Sequence, residues 1–161
     1  MAKQERPLRR GWTTGTCATA AAKAAFAALI TGDFPDPVTV TLPRGEQPSF
    51  ALAMTRKDTG AATAGVIKDA GDDPDVTHGA LVCATVRAGQ PGAGVTFRAG
   101  EGVGTVTRAG LPIAPGEPAI NPVPRRMIRD AIGEVAAAAG CAPDAEVEIA
   151  FRAAKRWRQK R

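Results

Sequence analysis

Two stretches of the chain carry helical periodicity, and several short ones alternate in the manner of strands. From about Thr16 to Ile30 eight of fifteen residues are alanine, with Cys17, Ala21, Ala24 and Ala28 at helical spacing. Alanine favours helix strongly, Thr13 or Thr14 can cap the start, and Gly32 supplies the stop. The spacing predicts a narrow face that permits close packing. A second helix is predicted from about Pro124 to Ala139, stopped by Gly140, with Ile128, Ile132, Val135 and Ala139 as its buried face. Val38–Leu42 and Phe50–Met54 read as a first hairpin around a turn at Pro43–Glu46. Ala80–Val86 reads as a strand, and Gly94–Phe97 with Val103–Thr107 as a second hairpin bent at Ala99–Gly102. Glu146–Ile149 is the last strand. Strands in hairpins, helices near either end and no βαβ alternation predict an α+β fold. Its form is a two-layer sandwich: a mostly antiparallel or mixed sheet with an N-terminal alanine-rich helix and a C-terminal helix.

The segment between the two halves breaks this regularity. Lys68, Asp69, Asp72, Asp73, Asp75 and His78, the only histidine, fall within eleven positions. Gly71 and Pro74 forbid a regular element there, so the charges sit on a shaped loop. Polar loops with fixed turns are where binding and catalysis tend to sit. The competing reading is an Asx-turn loop whose aspartates cap their own backbone.

Composition sharpens the picture. A chain of 161 residues with 44% hydrophobic content supports one ordinary domain. Seven aromatic residues, five Phe and two Trp, are too few for an extended stacking platform for single-stranded nucleic acid. Cys17, Cys83 and Cys141 lie far apart without Cys/His ligand spacing, so no metal site is expected, and they suit a reducing, cytoplasmic setting. No signal peptide and no membrane span are expected: the most apolar stretch, Ala18 to Ile30, is short and carries Lys23. The net charge of +5 is local, because Arg152, Lys155, Arg156, Arg158, Lys160 and Arg161 crowd the end of the chain. Without them the body is close to neutral. The phosphate loop GxxxxGK[ST], a GxGxxG after a strand and a GxSxG elbow are all absent.

Two further features point to an anionic ligand. The Gly11–Thr16 loop brings Thr13, Thr14 and Thr16 with backbone N–H groups to a helix N-terminus, which attracts carboxylate or phosphate; simple capping by Thr14 is the alternative. Arg125, Arg126 and Arg129 occupy the first turns of the second helix, where the dipole disfavours cations. They form either an arginine rack for an anion or, through Arg126 and Asp130, an i,i+4 ion pair on a surface helix.

Four ordered segments together resemble one family. Gly11-Trp-Thr-Thr-Gly-Thr-Cys-Ala18, Val66-Ile-Lys-Asp-Ala-Gly-Asp-Asp-Pro-Asp-Val-Thr77, Gly102-Val-Gly-Thr-Val-Thr107 with Gly110-Leu111, and Gly116-Glu-Pro-Ala-Ile-Asn-Pro-Val-Pro-Arg125 are similar to the CbiD family of cobalt-precorrin-5B C1-methyltransferases. The resemblance implies transfer of a methyl group from S-adenosylmethionine to C1 of a cobalt corrinoid in anaerobic cobalamin biosynthesis. Cobalt enters only as part of the substrate. The ring's acetates and propionates would give Thr13, Thr14, Thr16, Lys68, Asp73 and the three arginines a substrate-binding role. Asp69, Asp72, Asp75 and His78 are the catalytic candidates. The partner is then a cobalt-corrinoid small molecule, with neither membrane nor nucleic acid expected.

The resemblance covers residues 1–150, and residues 151–161 read as a non-family basic tail. Written in GC-rich codons and read from the third base, Phe151–Arg158 becomes Pro-Gly-Gly-Glu-Ala-Met-Ala, which resembles the family's continuation. A shift of reading frame is therefore expected there. Two other functions compete: a corrinoid-binding fragment without catalysis, and a small nucleic-acid-binding module that uses the basic tail.

Overall fold

A computed structural model describes residues 12–68, 79–105 and 116–152. Helix α1 spans Thr14–Thr31. Thr13, in extended conformation, caps it by accepting the Thr16 N–H at its side-chain oxygen, and Gly32 ends it at φ +91°. Lys57 donates to the Gly32 carbonyl at 2.6 Å, a cation at the negative end of the helix. The expected narrow face is corrected: from Thr16 to Ala28 every residue but Lys23 is buried. A helix of small side chains can be approached from all sides, and one that is apolar all round belongs in the interior.

Two short strands, β1 (Val38–Thr39) and β2 (Ser49–Phe50), pair antiparallel beside α1. The remaining strands are β3 (Met54–Asp58), β4 (Ala61–Ile67), β5 (Leu81–Ala88), β6 (Val95–Ala99) and β7 (Ala145–Arg152). They form one sheet in the order β3-β4-β5-β7-β6, antiparallel except for β6 with β7. Thus Met54, expected to end the first hairpin, opens β3 and pairs with Gly65 on β4. Strand β4 is alanine, threonine and glycine up to Val66, which conceals it from any reading based on β-branched residues.

The second predicted hairpin is also corrected. β6 runs parallel to β7, in register from Val95↔Ala145 to Ala99↔Ile149. Beyond it, the Gly100 N–H donates to the Ile149 carbonyl and the Phe151 N–H to the Glu101 carbonyl, both at 2.8 Å. The glycine-rich bend therefore follows the edge of β7 instead of doubling back on β6. Gly102 makes this possible: at φ +79° a Cβ would lie 2.8 Å from the Phe151 carbonyl oxygen. Of the expected return strand, Thr105 bridges to Pro118, and residues 106–107 lie outside the described residues.

Helix α2 spans Pro122–Ala139 and stops at Gly140, φ +74°. Its buried stripe is Ile128, Ile132 and Ala136. Val135 is only half-buried and Ala139 exposed, so the face runs at strict i, i+4, i+8 spacing. Gly15 touches Pro124, and Lys23 pairs with Glu134 at 2.7 Å, so the two helices run in the same direction. Lys23 also donates to the Thr39 carbonyl at 2.7 Å, joining α1, α2 and β1 through one ammonium. Ala62, Ala64, Val66, Val82, Ala84, Val86, Val147 and Ile149 give the sheet face that closes the core with the helices. The result is the α+β sandwich expected. β7 includes Phe151 and Arg152, and residues 153–161 lie outside the described residues.

Candidate functional site

The sheet register brings three strand ends together. Ile67 pairs with Leu81, and Leu81 with Arg152, so β4 and β7 finish where β5 begins. Just past this row the Lys68 N–H donates to the Ala80 carbonyl at 2.8 Å and the Gly79 N–H to the Lys68 carbonyl at 2.7 Å. These bonds fasten both roots of the acidic loop to the sheet end. Lys68 itself is buried, 3% exposed. Asp69, Asp72, Asp73, Asp75 and His78 lie outside the described residues.

Both helices open toward the same end. Trp12 stands beside Val66 and Ile67 along an apolar groove, with its ring edge-on to Phe50 at 6.1 Å. A 140 Å³ cavity is lined by Thr14 and Gly15 of α1, Asn121 and Pro124 of α2, and Phe151 of β7. The two positive dipole ends therefore meet next to the roots of the acidic loop. Neither helix has an acid in its first turn. The Asn121 side chain makes no capping bond. Of the three threonines singled out, Thr13 and Thr16 spend their hydroxyls on each other, 2.9 Å apart. Thr14 borders the cavity.

The arginines do not form one rack. Arg125 is a clamp: its Nε and Nη2 donate to the Ile120 and Pro118 carbonyls, each at 2.7 Å, and its side chain is 13% exposed. The Phe97 ring lies under it at 5.2 Å and under Arg129 at 5.0 Å. Arg129 also reaches the Val95 carbonyl at 3.4 Å. Arg126 stands a third of a turn round the helix and borders a different depression, between α2, α1 and the Thr41–Pro43 turn. The alternative to a rack, an i,i+4 ion pair of Arg126 with Asp130, is not formed either, and among the described residues neither group has an ion-pair partner. Phe97 as the platform for two guanidinium groups was not readable in the sequence, because it depends on the parallel placement of β6.

Cys83 faces away from the helices, next to Leu81 and Gly65. Burial pushes its thiol above the ordinary range; Arg152 pulls it down and Glu101 raises it further. It stays protonated at neutral pH and is a poor nucleophile. Among the described residues, no group of three or more His, Cys, Asp or Glu could hold a metal ion, and no helix is long and apolar enough to cross a membrane.

The family model for CbiD matches residues 1–160. A cobalt-precorrin-5B C(1)-methyltransferase from Agrobacterium fabrum is 65% identical over 153 residues, which is 95% of this chain and 40% of that protein. The protein of the same name from Paramagnetospirillum magneticum is 62% identical over 90% of this chain and 41% of its own length. The solved structure of the cobalamin biosynthesis protein CbiD from Archaeoglobus fulgidus superposes with a TM-score of 0.65 at 27% identity, covering 92% of this chain and 46% of that one. The chain thus spans about 40% of the length of the curated relatives it matches.

Proposed function

The chain belongs to the CbiD family, and from that premise we propose that it serves methyl transfer to C1 of cobalt-precorrin-5B in cytoplasmic cobalamin biosynthesis. The observation that carries this reading is the 65% identity, over nearly the whole chain, to a protein bearing that name. The proposed methyl donor is S-adenosylmethionine. The ring carbon attacks the sulfonium methyl, a carbon–carbon bond forms as the carbon–sulfur bond breaks, and the electron pair returns to sulfur. Such a displacement asks the protein mainly to align carbon and methyl group.

The geometry supports a place for the ring. A corrinoid edged with carboxylates suits the end of the sheet where the N-termini of α1 and α2 converge. Thr14 and the first-turn N–H groups would meet the carboxylates, and Arg129 adds charge at the β6 side. Lys68 and Asp73 belong to the binding wall in this reading. Asp69, Asp72, Asp75 and His78 remain the candidates for contact with the reacting carbon. Residues 1–150 would form the working domain.

The test is incubation of the chain with the cobalt-corrinoid substrate and S-adenosylmethionine carrying a ¹³C methyl group. Appearance of the label on C1 by NMR supports the reading. Binding of the corrinoid by visible titration, without label transfer, would identify a ring-binding portion that lacks catalysis. Neither binding nor transfer would sink the proposal.

A further inference from the structure

The groove that Arg126 borders has a composition unlike the sheet end. Its volume is about 480 Å³, within the range of small-molecule sites, roughly 300–1,000 Å³. Two of its four charged groups are committed: Lys23 and Glu134 neutralise each other at 2.7 Å, and Lys23 also holds the Thr39 carbonyl. The other two, Arg126 and Asp130, are one helical turn apart on α2, close enough to pair, and do not. An apolar strip of Met127, Val123 and Leu42 lies with them in the groove. The groove therefore offers one guanidinium, which only donates, one carboxylate, which only accepts, and an apolar wall.

We propose that this groove binds the head of an α-amino acid, with carboxylate on Arg126 and ammonium on Asp130, and an apolar tail along Met127 and Val123. A polyanion is disfavoured, since Lys23 and Glu134 cancel and Asp130 offsets Arg126, leaving the groove without net positive charge. That argues against the carboxylate-edged ring and nucleic acid as occupants. Two sources carry the required head group: a free amino acid such as methionine, and an S-adenosyl amino acid. Taking the second as occupant rests on the methyl-transfer reading, and places the donor on the α1–α2 groove, apart from the convergent helix ends.

Calorimetric titration of the full chain separates these cases. The probes are S-adenosylhomocysteine, methionine, and 5′-methylthioadenosine, which has the thioether and nucleoside without the amino-acid head. S-adenosylhomocysteine is expected to bind, and Arg126→Gln to weaken it about tenfold, the effect of losing one charge-assisted contact. Asp130→Asn should weaken it in the same sense. Any binding of 5′-methylthioadenosine should be indifferent to both changes. Methionine binding as tightly as S-adenosylhomocysteine would assign the groove to a free amino acid. Equal affinity of parent and both variants for S-adenosylhomocysteine overturns the proposal, as does failure of the parent to bind either head-bearing probe. Both side chains are exposed, and unchanged circular dichroism melting excludes misfolding as the cause. Methyl transfer with an unaltered donor KM in Arg126→Gln would remove the groove and leave the methyl-transfer reading standing. Head-group binding that depends on Arg126, in a chain inert toward the corrinoid, would do the reverse.

Discussion

Helices α1 and α2 have 18 residues each, run in the same direction and end on left-handed glycines, yet their side chains answer to different demands. α1 is buried on every side and carries a single charge, Lys23, which is spent joining neighbours. α2 buries one stripe and leaves Arg126, Asp130 and Glu134 toward solvent. The first is fixed by how closely its neighbours approach, so its residues report packing. The second buries three positions, Ile128, Ile132 and Ala136, ties down Arg125 and Glu134 through polar contacts, and leaves Arg126 and Asp130 free for chemistry. Charge in a buried helix would cost several kcal/mol without a partner, whereas the open face of α2 bears it at almost no cost.

The largest effects should come from the stripe that α2 does bury. Ile132→Ala leaves a cavity in the core, at a cost of about 2–5 kcal/mol in chemical denaturation. A loss below about 1 kcal/mol would mean that α2 is only loosely docked. The complementary change on α1 is an addition. Ala24 is fully buried, and Ala24→Leu must displace neighbours at about 1–3 kcal/mol, although leucine is nearly as good a helix former as alanine. An equally stable Ala24→Leu variant would break the comparison, because it would show slack around α1.

The next comparison is between adjacent arginines. Arg125→Met removes two hydrogen bonds to the carbonyls of the 116–121 segment and the stack on Phe97. It should cost about 1.5 kcal/mol. Arg126→Met should stay within about 0.5 kcal/mol of the parent, as at other free surface positions. The sequence alone argues for little loss of stability on removing Arg125, since cations conflict with a helix N-terminus. The clamp reverses that expectation. Thermal melts of the two variants, side by side, decide it.

What was legible followed the same division. The periodicity of α2 gave its span to within two residues and two of its three buried positions, because a half-exposed helix writes its orientation into the sequence. α1 gave its span and caps, yet alanine is compatible with every environment, so the reading of one narrow face failed. β4 was hidden for a related reason: its small residues lack strand character and are held by β3 and β5 on either side. The parallel docking of β6 on β7 was illegible because a pairing so distant in sequence leaves no local mark. Of the site, the threonine cap and the end of the acidic loop at the strand opening near Ala80 could be read. The splitting of the arginines could not, since it depends on Phe97 arriving from another strand.

The smallest effects lie at the two N-caps, and there the helices can be told apart most finely. Thr13 caps α1 with its side chain, accepting the Thr16 N–H at 3.0 Å. Thr13→Ala should therefore cost about 1 kcal/mol. Asn121 stands at the matching place on α2 and makes no such bond, so Asn121→Ala should change stability by only a few tenths of a kcal/mol. Asn121→Asp is more informative than either. A carboxylate at a helix N-terminus is favourable by about 0.3–1 kcal/mol, so this variant should be slightly more stable than the parent. The same carboxylate would stand beside the cavity between the two helix ends and repel a ligand edged with carboxylates. Stability and corrinoid affinity should therefore move in opposite directions, measured by denaturant midpoint and visible titration, and the affinity loss should shrink as salt is raised. If affinity is unchanged while stability rises, the convergent helix ends are not where the ring binds, and the anion-binding role of Thr14 falls with them.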